Sequence, residues 1–124
     1  MTKTILVVDD NPDMMELLTL RLEANDYKVL SAMDGLQAIE LVKKECPDLI
    51  ILDVMLPKMS GYETCRILKF DNHYERIPII LLTAKAQQSD KDMSVKVKAD
   101  AFMNKPFDGE ELMRRIEELL AGKE

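Results

Sequence analysis

Leu49-Ile50-Ile51-Leu52-Asp53 sets four large apolar residues in an unbroken row and ends them in one carboxylate. An apolar run without polar alternation is what a strand covered on both faces requires, and such strands belong to parallel sheets layered between helices. The same punctuation recurs along the chain. Ile5-Leu6-Val7-Val8 runs into Asp9-Asp10, Ile79-Ile80-Leu81-Leu82 into Thr83-Ala84, and Ala101-Phe102-Met103 into Asn104-Lys105-Pro106. Four strands therefore end in three carboxylates, a hydroxyl and an ammonium. Open parallel sheets bind ligands beyond the carboxyl ends of their strands, so these groups are expected to converge.

The intervening segments read as helices and one further strand. Asn11-Pro12 opens a helix, Asn as its cap and Pro at its first position, which runs to about Asn25 with Met14, Met15, Leu18 and Leu22 at helical spacing. A short strand over Lys28–Ala32 follows the polar turn at Asn25-Asp26. Asp34 and Gln37 make a capping box for the next helix, with a buried stripe expected from Leu36, Ile39, Leu41 and Val42 and an end at Pro47. Ser60 and Glu63 make another, opening a helix that carries Cys65 and Leu68 inward as far as Asp71-Asn72-His73.

The segment from Gln87 to Lys98 is the least regular. Ser89-Asp90-Lys91-Asp92 can cap a helix, but Met93, Val95 and Val97 are spaced almost as in a strand, and Lys98 stands where a left-handed glycine would end one. The last helix is capped by Asp108, with Glu111 three positions on, and striped by Leu112, Ile116, Leu119 and Leu120. Five strands alternating with five helices predict a doubly wound α/β sandwich around a parallel sheet.

The length of 124 residues fits one domain over 1–124. Seventeen basic against twenty-three acidic residues leave a net charge of −6, which argues against nucleic-acid binding through a broad basic face. There is no long apolar span, and Met1-Thr2-Lys3-Thr4 leads straight into a strand-like run, so a cytoplasmic location without membrane contact is expected. Cys46, Cys65 and His73 form no metal-like cluster, and structural roles are expected for them. Most of the nine methionines should fill the core, whereas Met14, Met55 and Met59 fall beside the acidic edge.

Asp9, Asp10 and Asp53 gathered at one edge would repel one another and raise their pKa values unless a cation compensates. Hard oxygen ligands without Cys or His favour Mg²⁺, which takes a few carboxylates and phosphate oxygens. Lys105 adds a point charge and Thr83 a hydroxyl donor, both suited to a phosphoryl group held beside the metal.

The motifs Val7-Val8-Asp9-Asp10-Asn11, Leu52-Asp53-Val54-Met55-Leu56-Pro57, Met59-Ser60-Gly61, Leu82-Thr83-Ala84 and Asn104-Lys105-Pro106-Phe107 carry a resemblance over essentially the full chain. They resemble the receiver domain of bacterial two-component response regulators. That resemblance implies a flavodoxin-like fold with strand order 2-1-3-4-5 and Asp53 as phosphoacceptor, taking a phosphoryl group from a phosphohistidine of a sensor kinase or histidine phosphotransfer protein. It implies Mg²⁺ held by Asp10, Asp53 and the Met55 backbone carbonyl with support from Asp9, phosphoryl contacts from Lys105 and Thr83, and Phe102 as a switching aromatic coupled to Thr83. A downstream effector would dock on the fourth helix, fifth strand and fifth helix, and the domain would be a monomer or a weak phosphorylation-dependent dimer. By the same resemblance the module would phosphorylate and dephosphorylate itself rather than act as a conventional enzyme.

The chain departs from the family's habits at three places. Lys98 replaces a common Gly, Ala101 a frequent acid, and Phe102 the more usual Tyr. Lys91, Glu111 and Arg115 resemble parts of the charged face through which DNA-binding members dimerise, but Ala101 leaves that network incomplete. The alternative function is a Mg²⁺-dependent phosphohydrolase using an aspartyl-phosphate, which would need a general acid that the sequence does not place two residues after Asp53, where Met55 stands.

Overall fold

The computed structural model describes residues 2–84 and 88–122, the side chains of residues 88–90 excepted. Its elements follow in strict alternation: β1 (Thr4–Val8), α1 (Pro12–Ala24), β2 (Lys28–Ala32), α2 (Gly35–Glu45), β3 (Leu49–Asp53), α3 (Gly61–Lys69), β4 (Ile79–Thr83), α4 (Gln88–Lys96), β5 (Ala101–Asn104) and α5 (Gly109–Ala121). The five strands form one parallel sheet in the order β2-β1-β3-β4-β5. Consecutive elements thus build a doubly wound, flavodoxin-like sandwich, as the alternation requires.

Every residue of β3 and β4 is buried, which explains their continuous apolarity. The sheet separates two cores. Ile5, Val7, Ile51, Ile80 and Leu82 point toward α1 and α5, whereas Leu6, Ile50, Leu52, Ile79 and Leu81 point toward α2, α3 and the end of α4. The edge strand β2 is only partly covered, and its sequence is correspondingly more polar.

Local chemistry sets most helix boundaries. Asn11 in extended conformation accepts the backbone N–H groups of Asp13 and Met14, with Pro12 at the first helical position. Asp34 accepts the N–H of Gln37, and Ser60 that of Glu63. Lys98 does adopt the left-handed conformation, φ 63°. The N–H groups of Lys98 and Ala99 donate to the carbonyls of Val95 and Ser94, so α4 closes in a Schellman motif despite having no glycine there.

Two expectations need correction. The stripe of α2 is built on Ala38 and Val42 with Ile39 and Leu41 half-buried, and Leu36 is 47% exposed. Asp108 accepts the N–H of Glu110, not of Glu111. The irregular segment is a helix, as the alternation predicts; Val95 projects into solvent, while Ser94 and, just past the helix end, Val97 face inward. Gln87 and the capping expected of Ser89 and Asp90 lie outside the described residues and side chains.

Candidate phosphoacceptor and metal site

The register determines which groups meet. Val8 pairs with Leu52, so the next residues, Asp9 and Asp53, leave the carboxyl edge side by side, and both point toward the α1/α5 face by strand alternation. Chain reversal into α1 then holds Asp9 in place. Its Oδ1 accepts the Asn11 N–H at 2.9 Å, and its Oδ2 lies 3.0 Å from the Lys105 ammonium. The same Nζ stands 3.3 Å from Asp53 Oδ1. Lys105 reaches this point from the turn after β5, where its N–H donates to the Thr83 carbonyl at 2.7 Å.

Asp9, Asp10 and Asp53 each offer a carboxylate oxygen within 4.8 Å of the others. Asp9 and Asp53 are buried and Asp10 is exposed. Burial pushes the Asp53 carboxyl upward; the charge of Lys105 opposes this, and that of Asp9 reinforces it. Burial also works against the charge on Lys105, yet its hydrogen bond to Asp9 and the negative charges of Asp53 and Asp9 lift its pKa above the ordinary lysine value. The carboxylates therefore outnumber the one ammonium among them. An all-oxygen donor set of this kind, open on the Asp10 side, fits Mg²⁺.

These groups line a cavity of about 720 Å³ together with Asn11, Val54, Met55, Leu56, Pro57 and Ser60. Met55 is 73% exposed over it, and its N–H approaches Asp53 Oδ1 at 3.4 Å. Of the other two methionines expected here, Met14 packs into the α1/α5 core and Met59 does not line the cavity.

Thr83 is buried at the end of β4 on the same sheet edge, but on the α2/α3 side. Phe102 pairs with Leu81 and points to that same face, half-buried one pleat behind Thr83. Phe102 lines a separate cavity of about 450 Å³ with Lys91, Asn104, Phe107 and Glu111. Sequence reading gave Asn11 only the role of a helix cap, whereas its backbone also fixes Asp9. Ser60 likewise both caps α3 and walls the cavity.

Gly61 is the tightest point of the site. A Cβ there would stand 2.2 Å from the Asp53 carbonyl oxygen and 2.8 Å from Val54 Cα, because the Gly61 N–H bonds the Val54 carbonyl at 2.9 Å. Gly61→Ala should cost about 1–3 kcal/mol, since backbone rather than a flexible side chain must yield. It should also weaken Mg²⁺ affinity by moving Asp53. Urea unfolding and calorimetric titration check both, and a variant as stable and as metal-competent as the parent would contradict the contact.

The response regulator receiver domain family matches residues 5–117. The chain is 42% identical over 124 residues to the alkaline phosphatase synthesis transcriptional regulatory protein PhoP of Bacillus subtilis, covering 100% of this chain and 51% of PhoP. It spans about half the length of the curated relatives of this kind that it matches. Among solved structures, the signal receiver domain of a signal transduction histidine kinase from Syntrophus aciditrophicus superposes with a TM-score of 0.92 at 36% identity, covering 98% of this chain and 92% of that one. The receiver domain of sensor histidine kinase PA1611 from Pseudomonas aeruginosa, with a magnesium ion coordinated in its active-site cleft, gives a TM-score of 0.90 at 30% identity over 98% and 99% of the two chains. With the sheet order, the acidic edge and these relatives in agreement, this chain belongs to the response regulator receiver domains, the phosphorelay signalling modules of two-component systems.

Proposed function

We propose that Asp53 is the phosphoacceptor of this module, and that residues 1–124 act as one receiver domain in the cytoplasm. The observation that carries the reading is the convergence of Asp9, Asp10 and Asp53 within 4.8 Å, with Lys105 between Asp9 and Asp53. Asp9, Asp10, Asp53 and the backbone carbonyl of Met55 would hold Mg²⁺. An ion held by these groups would offset negative charge on the phosphoryl oxygens. An Asp53 carboxylate oxygen attacks phosphorus, the P–N bond of a phosphohistidine breaks, and the imidazole leaves with the electron pair and takes a proton from water. Lys105 contacts the phosphoryl oxygens as a point charge, and Thr83 donates its hydroxyl from the end of β4. Hydrolysis of the acyl phosphate by water returns Asp53, so the domain both loads and unloads itself.

The donor is a histidine kinase or a histidine phosphotransfer protein. The signal leaves when Thr83 moves toward the phosphoryl oxygens and Phe102 turns inward behind it, reshaping the face of α4, β5 and α5 for a downstream effector. The cavity beside Phe102 supports this route, since it gives the ring a space bordered by all three elements. The domain is a monomer or a weak phosphorylation-dependent dimer, and its net charge of −6 gives no support to direct nucleic-acid binding. Among the described residues no helix is long and apolar enough to cross a membrane. A phosphohydrolase is the poorer reading, because exposed Met55 stands where that chemistry would place its general acid.

Incubation with acetyl phosphate and Mg²⁺ should yield a singly phosphorylated protein by intact-mass spectrometry, and chelation of the metal should suppress it. Absence of any phosphorylated species with Mg²⁺ present, or equal yield without it, would count against the assignment.

A further inference from the structure

A second concave region lies away from the acidic edge. The groove between α3 and α4 has a volume of about 580 Å³, within the range of small-molecule sites, and Tyr62, Phe70, Met93 and Val97 give it an apolar floor. Phe70 leaves 54% of its surface exposed, so the apolar floor continues to the rim of the groove. Arg66 and Lys96 line the same groove. Among the described residues neither cation forms an ion pair. A third cation, Lys98, sits with its Nζ 4.5 Å from the centroid of the Phe70 ring. Among the described residues the one acid on the groove, Glu63, is turned toward the Ser60 hydroxyl. A chain with a net charge of −6 thus concentrates positive charge around exposed apolar surface.

We propose that the α3/α4 groove binds a small amphipathic organic anion, an aromatic carboxylate or sulfonate, and that its occupancy is coupled to the state of Asp53. The ring would lie against Phe70, Tyr62 and Met93, and the acid group would bridge Arg66 and Lys96. Concavity and the pairing of apolar floor with unpaired cations select this chemistry over a neutral ligand or a polyanion.

The coupling follows from Ser60, which belongs to the wall of both the groove and the acidic cavity. Its neighbour Gly61 abuts the Asp53 carbonyl with no room for even a methyl group. A ligand seated against Ser60 and Tyr62 therefore bears on the segment that carries Asp53. Coupling of this kind is reciprocal, so a change at Asp53 must alter ligand affinity by the same factor. This half of the proposal rests on the phosphoacceptor reading.

The probe is 8-anilinonaphthalene-1-sulfonate, titrated by fluorescence and by calorimetry against the folded protein. Saturable one-to-one binding is expected, weakened at least tenfold by the exposed pair Arg66→Glu and Lys96→Glu. The same charge change at Lys28→Glu and Lys44→Glu, remote from the groove, should leave affinity within twofold. Equal loss in both double variants, or no saturable binding, would overturn the site. Beryllofluoride with Mg²⁺ should shift the dissociation constant at least threefold. A thermal response to beryllofluoride with an unchanged constant would overturn the coupling alone, whereas no thermal response would point to failure of the phosphoacceptor reading instead.

Discussion

Lys105→Ala should slow phosphoryl transfer to this domain about 10²–10³-fold, the usual loss when a positioned donor to transition-state charge is removed. The side chain has only one geometry to serve: its Nζ lies 3.0 Å from Asp9 and 3.3 Å from Asp53, with 17% of the side chain exposed. Removing it leaves two buried carboxylates facing each other with no protein cation between them. The metal-free variant should therefore melt below the parent, and Mg²⁺ should raise its melting temperature by more than it raises the parent's. Stopped-flow phosphorylation with acetyl phosphate and paired melting curves separate the two effects. An unchanged rate would remove Lys105 from the chemistry, and an unchanged metal-free melting temperature would mean that Asp9 and Asp53 do not need its charge.

Asp100→Ala should destabilise the domain by about 3 kcal/mol, or roughly 10 °C in melting temperature. Asp100 Oδ2 accepts both the Lys69 ammonium and the Ile79 N–H at 2.8 Å. Lys69 is buried, and among the described residues its other partner is the Ile77 carbonyl at 3.1 Å. Truncating the acid strands an ammonium and a backbone donor away from water. The figure sits at the low end for broken buried pairs, because 31% of the Asp100 side chain remains exposed. Adding Lys69→Met should recover part of the loss, since an unpaired charge costs more than an apolar side chain of similar length. If the double variant is no better than Asp100→Ala alone, the stranded charge is not the cause.

That ion pair illustrates what sequence reading misses. Lys69 looks like a solvated helix residue, and only the return of the chain 31 positions later brings Asp100 to it. The strands were legible because burial on both faces leaves no room for polar residues, and the caps because Asn11, Asp34 and Ser60 act within three residues of themselves. Weighting large side chains misplaces the stripe of α2. Close approach to α3, where a Cβ on Gly35 would meet Thr64 Oγ1 at 2.2 Å, favours small Ala38 inward and leaves Leu36 in solvent. Convergence of Asp9, Asp10, Asp53 and Lys105 is foreseeable because each ends or closely follows a strand of one parallel sheet. The side of the sheet was not, and it is the register that sets Thr83 and Phe102 on the face opposite to Asp53.

Mapping the modification decides whether Asp53 is the residue that carries the phosphoryl group. After treatment with acetyl phosphate and Mg²⁺, borohydride reduction followed by peptide mass spectrometry should convert one residue, Asp53, to homoserine, and Asp53→Asn should yield none. Conversion at Asp9, Asp10 or any other acid in the parent protein, or undiminished phosphorylation of Asp53→Asn, would contradict it.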